Sequence, residues 1–153
     1  MASFLTNALN KVDKKGRVSV PSLFRQAVSG GSFQGVALYP AIKLPCLEGS
    51  DLAFFDEISR RIYGRYSPIS PQSSKLALRV LGRMEPLSFD TEGRILLPQE
   101  LRDYAGIGEH AKFVGLGPKF QIWDPDRLRD YEASDDDLFD EVEALEPLFG
   151  GGL

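Results

Sequence analysis

Lys14, Lys15 and Arg17 stand within four residues of one another, behind Asp13 and around Gly16, in the stretch VDKKGRVSVP that spans 12–21. An aspartate opens a turn because its carboxylate can accept backbone N–H groups ahead of it, and a glycine supplies the positive φ that a tight turn often needs. Two ammonium groups at the tip of such a turn can sit on phosphates, while a guanidinium at its base can reach a guanine edge in a major groove. Charge runs are also commonly just solvated faces. Taken alone, the four residues leave both readings open.

The chain writes the turn twice. FDTEGRILLP, at 89–98, aligns without a gap: Asp13 over Asp90, Gly16 over Gly93, Arg17 over Arg94, Pro21 over Pro98 and Arg25 over Arg102. The second copy replaces both lysines, with Thr91 and Glu92. A carboxylate beside phosphate is repelled, so this copy makes a poor anion loop. The expectation is a division of labour. Asp13, Gly16, Asp90, Gly93 and Arg94 build the turns, and Lys14, Lys15 and Arg17 add binding, with Arg25 in the same basic N-terminal cluster. Replacing Arg17 by Ala should then remove binding without unfolding the chain, and replacing Arg94 should lower stability.

Around each turn the pattern is strand, turn, strand, helix, then two strands. RVSV and RILL alternate as strands do. Pro21 and Pro98 end them and suit the first turn of the helices PSLFRQAV and PQELRDYA. SFQGVALY and IKLPCLE follow as strands in the first half, AKFVGLG and KFQIWD in the second. Between the halves, SDLAFFDEISRRIYGRY and SPQSSKLALRVLGRM read as helices with Ser50, Asp51 and Ser70 as caps. Half a unit of this kind leaves strand edges exposed, so the copies should interleave into one barrel-like core. The fold class is mostly β with short helices, α+β, divided as a first unit at 1–50, a helical connection at 51–86, a second unit at 87–131 and an acidic tail at 132–153.

Charge follows the same division. Residues 1–131 carry all 18 Lys and Arg against 14 acids, and residues 132–153 carry eight acids and no base, so the net charge of -4 conceals a basic body. The tail's Leu138, Phe139, Val142, Leu145 and Phe149 could form an amphipathic helix on a protein partner, compete for the basic turn, or ride on a solubilising end. A scaffold acting through this tail is the rival to a nucleic-acid reading.

Other classes have little support. No apolar run reaches the ~20 residues needed to cross a bilayer, and the first residues lack the apolar core of a secretory signal, which points to a cytoplasmic protein. Cys46 and His110 are each alone, against a disulfide framework and most metal sites. There is no phosphate-binding loop, no H-E-x-x-H and no G-x-S-x-G, and VGLGPK is a lone glycine pattern better read as a turn. Neither an enzyme nor a cofactor is expected.

The paired D-x-x-G-R turns resemble the AbrB-type swapped-hairpin family. The tandem form, VDKKGRVSVPSLFR with DTEGRILLPQELRDYAGI and KFQIWD, is similar to the MraZ regulators of that family across residues 4–131. The resemblance implies two interleaved units in a pseudo-dimeric β-barrel and a cytoplasmic, nucleoid-associated protein that binds double-stranded DNA. It further implies a ring, octameric or dodecameric, recognising short direct repeats upstream of the division and cell-wall gene cluster that encodes it. The family's DNA-contacting turn maps onto Lys14, Lys15 and Arg17. The long acidic tail has no clear counterpart in the family.

Overall fold

The computed structural model describes residues 2–134 and 143–150. Strand β1 (Asn7–Lys11) enters the Asp13 turn and the chain leaves it as β2 (Arg17–Ser19); β5 (Glu85–Ser88) and β6 (Arg94–Leu96) repeat this around Asp90. β2 and β6 pair with each other, antiparallel, with Val18 opposite Ile95. Alternation turns both of these side chains inward, where each is 1% exposed. Helices α1 (Ser22–Val28) and α4 (Gln99–Ala105) follow. Pro21 and Pro98 stand one position before the expected first turn: they are the extended N-cap residues, with ψ of 141° and 144°.

The remaining strands are β3 (Gly35–Pro40), β4 (Leu47–Ser50), β7 (His110–Gly115) and β8 (Phe120–Trp123). Together with β1 and β5 they form a six-stranded sheet in the order β1-β7-β8-β4-β3-β5. Four ladders, β1–β7, β2–β6, β3–β5 and β4–β8, join one half of the chain to the other. Exchanging the copies turns the strand order into its own reverse. Glu48 opposite Gln121 marks the midpoint of the sheet, and Val18 opposite Ile95 marks that of the small ribbon.

The expected barrel is not closed among the described residues. β1 and β5 each have one neighbour and remain edges, while β2 and β6 leave the sheet as a separate ribbon. Each turn sends its second strand to the other copy instead of back along the first, with the isolated bridge Val12–Val18 in place of a ladder between β1 and β2. The IKLPCLE segment also departs from the expected strand. Residues 41–46 form a loop closed by Ala41 N–H on the Cys46 carbonyl at 2.9 Å, with Lys43 at φ 69°, and pairing starts only at Leu47. Pro45 has no N–H to give to a ladder.

The ribbon's Val18, Val20, Ile95 and Leu97 pack with Phe4, Phe24, Phe113 and Phe120 in one buried cluster. Phe4 meets Phe24 and Phe120 edge-on, with ring centroids 5.5 and 4.9 Å apart. Helices α2 (Leu52–Arg65) and α3 (Pro71–Val80) cover β3, where Phe55 meets Tyr39 at 5.7 Å. Asp51 and Ser70 cap them by accepting the N–H of Phe54 and Ser73. Helix α5 (Pro125–Ala133) lays Tyr131 flat on Trp123 at 5.2 Å. Of the expected tail helix, 138–142 lie outside the described residues, while 143–145 are helical and Glu146–Phe149 is a 3-10 turn. No described helix is long and apolar enough to cross a membrane.

Candidate nucleic-acid interface

The two D-x-x-G-R turns have the same internal bonding. In the first, Asp13 N–H donates to the Arg17 carbonyl at 2.9 Å and Gly16 N–H to the Asp13 carbonyl at 3.0 Å. Asp13 Oδ1 accepts from Lys15 N at 3.0 Å and Arg17 N at 2.8 Å, and Oδ2 accepts Arg17 Nε at 2.6 Å. In the second, Asp90 Oδ1 accepts from Glu92 N and Arg94 N, both at 2.9 Å, and Oδ2 accepts Arg94 Nε at 2.8 Å. Gly16 at φ 93° and Gly93 at φ 76° occupy the left-handed region that the turn requires. The backbone N–H of Arg17 holds the Asp13 carboxyl below its usual range, and that of Arg94 does the same for Asp90.

Identical scaffolds carry different tips. Lys14 and Lys15 are exposed and make no ion pair among the described residues. Glu92, in the place of Lys15, folds back onto Arg94 Nη2 at 3.0 Å. Arg17 gives only Nε to Asp13, so its two terminal nitrogens make no hydrogen bond among the described residues. Its side chain is 36% exposed against 27% for Arg94. The expected contrast between a binding Arg17 and a structural Arg94 is therefore incomplete, because Arg17 secures its turn through the same bonds as Arg94.

The two turns lie at opposite ends of the ribbon. Gly16 carbonyl accepts Leu97 N–H at 2.9 Å and Gly93 carbonyl accepts Val20 N–H at 3.1 Å, a separation of about 13 Å at the strand rise of ~3.3 Å per residue. This crossing moves the helix arginines. Arg25 lies over Gly93, at the acidic turn, with its Nε donating to the Val20 carbonyl at 3.1 Å. Arg102, from the second copy, lies over Gly16 at the basic turn. Sequence had grouped Arg25 with Lys14, Lys15 and Arg17; in the folded chain Arg102 takes that place.

Several curated proteins are similar to this chain over most of its length. "Transcriptional regulator MraZ" of Rickettsia rickettsii is 40% identical over 131 residues, covering 86% of this chain and 87% of its own. The protein of the same name from Beijerinckia indica is 38% identical over 129 residues, covering 84% and 78%. That from Rickettsia canadensis is 39% identical over 131 residues, covering 86% and 87%. The family described as "MraZ protein, putative antitoxin-like" matches residues 82–146. The chain belongs to the MraZ family.

In this MraZ chain a cleft of about 460 Å³ beside the basic turn is lined by Lys11, Asp13, Lys14, Arg102, Ile107 and Glu109. Sequence reasoning missed Arg102 and Lys11 as its members. The alignment of Arg102 with Arg25 was the available signal, but only the cross-copy ladder assigns each arginine to the other copy's turn. Asn10 was missed as well: its Nδ2 donates to the Ser19 carbonyl at 2.7 Å and ties β1 to β2 below the turn.

The positions that could have suggested other chemistry are occupied structurally. Cys46 is buried, and burial pushes its thiol up to about 12, far from a reactive thiolate. Among the described residues no group of three or more His, Cys, Asp or Glu could hold a metal ion. Glu48 is the buried acid among the described residues, 6% exposed. It accepts from Tyr39 Oη at 2.7 Å, Lys119 Nζ at 3.0 Å and Gln121 Nε2 at 2.9 Å, and Gln121 in turn accepts Trp123 Nε1 at 2.8 Å. Burial raises the Glu48 carboxyl, but the bonds from Gln121, Tyr39 and Lys119 outweigh it and leave the group below its usual range. This network ties β4 to β3 and β8.

Proposed function

We propose that this chain is a DNA-binding transcriptional regulator that reads double-stranded DNA through the Lys14–Arg17 turn. The relatives carry the name transcriptional regulator. The observation that carries the reading is the pair of turns with one backbone and opposite tips, Lys14-Lys15 against Thr91-Glu92. A turn already held by Asp13 and Gly16 has no structural need of two exposed lysines. In this reading Lys14 and Lys15 rest on phosphates, and the free end of the Arg17 guanidinium reaches a base edge. Arg25, over Gly93, supports the other turn.

One such turn meets few phosphates, so a single chain binds weakly and loses affinity steeply with salt. Repetition of the turn by symmetry overcomes this: a ring presenting like-facing turns engages successive direct repeats about one helical turn apart, and effective concentration raises avidity. The operator in this proposal is the set of short repeats upstream of the chain's own gene in the division and cell-wall cluster. The cross-half ladders support reading the fold as two interleaved swapped-hairpin units, which leaves one basic and one acidic turn per chain.

The test exchanges the tips. A variant with Lys14→Thr and Lys15→Glu carries the second copy's residues on a backbone that already tolerates them, so its melting should match the wild type. Titrated against a duplex of its own upstream region and a random duplex, the wild type should prefer the former and the variant should bind neither. A variant that binds as the wild type does would overturn the proposal.

A further inference from the structure

Arg102 and Arg25 occupy equivalent positions, yet their hydrogen bonding differs. In the first copy Ser22 is too short to reach the guanidinium, and Arg25 Nε donates to the Val20 carbonyl at 3.1 Å. In the second copy Gln99 stands in the place of Ser22, and its Oε1 accepts Arg102 Nη2 at 2.7 Å. Arg102 Nε is then left buried without a partner, the only side-chain polar atom so placed among the described residues. Arg102 Nη1 likewise makes no hydrogen bond among the described residues and, unlike Nε, is not buried, so an oxyanion at the cleft can take a charge-assisted bond from the guanidinium without displacing a protein acceptor. Arg102 borders the cleft that also holds Lys11 and Lys14; of the two acids there, Asp13 is already committed to Arg17, and Glu109 is exposed.

We propose that Arg102, supplied by the second copy, binds a DNA backbone phosphate in the cleft beside the first copy's basic turn. This rests on the DNA-binding reading above. The site is composite: the first copy contributes lysines, and the second contributes a guanidinium that its own acidic turn could not use. The Gln99 bond directs the arginine. The acidic copy is thereby part of the binding surface although its own turn repels phosphate.

The test is the salt dependence of binding to a mixed-sequence duplex several helical turns long, followed by fluorescence anisotropy, because a phosphate contact is independent of sequence. Arg102→Gln should lower the slope of log affinity against log salt by about 0.9 for each protomer engaged. Arg102→Lys keeps the charge and should keep the slope. Lys75→Gln removes an equal charge from α3 and should leave the slope at the wild-type value. Melting curves accompany each variant, since both Arg102 substitutions uncover Gly16 and a packing role alone would make them behave alike. If the wild type shows no salt-dependent binding, the DNA-binding reading falls and takes this inference with it. If the wild type binds and Arg102→Gln keeps its slope, or Arg102→Lys loses as much as Arg102→Gln, this inference alone is overturned.

Discussion

The guanidinium of Arg102 covers Gly16 so closely that a Cβ on the glycine would stand 3.0 Å from Arg102 Cζ. The mirror relation holds between Arg25 and Gly93, with a Cβ 2.8 Å from Arg25 Nε. Each copy's helix thus lays an arginine on the other copy's turn. The two halves are interlocked through side chains as well as ladders.

Gly16→Ala and Gly93→Ala should therefore both destabilise. The left-handed φ of each position alone costs about 1–2 kcal/mol for an L-residue, and the arginine above has to move aside. Chemical denaturation should show comparable losses for the two variants, because the turn and the arginine above it are repeated. Only Gly16→Ala should also weaken DNA binding, because it displaces Arg102 from the basic turn.

Acid should loosen the turns. The folded Asp13 and Asp90 carboxyls lie below the ordinary aspartate value of 3.8, so their stabilisation is complete above that unfolded value and is lost as pH falls through the lower folded one. Melting temperatures followed from about pH 6 to about pH 2 should fall at the acid end, and Asp90→Asn should flatten that fall. An unchanged acid limb in the variant would show that the carboxylate is not linked to folding.

Much of this arrangement was legible in the sequence because it is local. The turns follow from Asp and Gly at fixed offsets, and the helix caps from Asp51 and Ser70. The alternation of RVSV and RILL implied two faces, and Val18 and Ile95 lie on the buried one. What sequence could not give depends on pairing between distant segments. Arg25 and Arg102 are each six residues beyond the strand of their own copy, and local reading keeps them there. The β2–β6 ladder crosses them over. The open sheet was illegible for the same reason, since which strand accepts a turn's second arm is decided by the other half of the chain. The loop at 41–46 was hidden by an apolar run that reads as a strand until Pro45 is weighed.

Glu48 should matter to stability more than any exposed charge. Its carboxylate accepts three hydrogen bonds at the midpoint of the sheet. Glu48→Gln keeps the shape but turns an amide N–H₂ toward donors, which should cost about 2–4 kcal/mol. Lys119→Ala should cost less, because the lysine side chain is 35% exposed and water can replace it. Urea titration of the two variants checks the order, and a Lys119 loss equal to the Glu48 loss would contradict it.

Arg17 and Arg94 give the sharpest separation of holding a turn from using it. Each bonds its aspartate through Nε and through its own backbone N–H, at matching distances. Replacing either with Ala leaves the backbone bond and removes the Nε bond, so the two variants should lose melting temperature by similar amounts. Arg94 also pairs with Glu92, so its loss should be slightly the greater at low salt and should converge on that of Arg17 as salt screens the exposed pair. DNA binding should divide them: the terminal nitrogens of Arg17 make no hydrogen bond among the described residues, whereas Arg94 Nη2 is paired with the Glu92 carboxylate. Arg17→Ala should abolish the preference for the upstream region over random duplex, with Arg94→Ala retaining it at temperatures where both remain folded. Equal loss of preference at matched stability would mean that turn integrity, and not the Arg17 guanidinium, carries the discrimination.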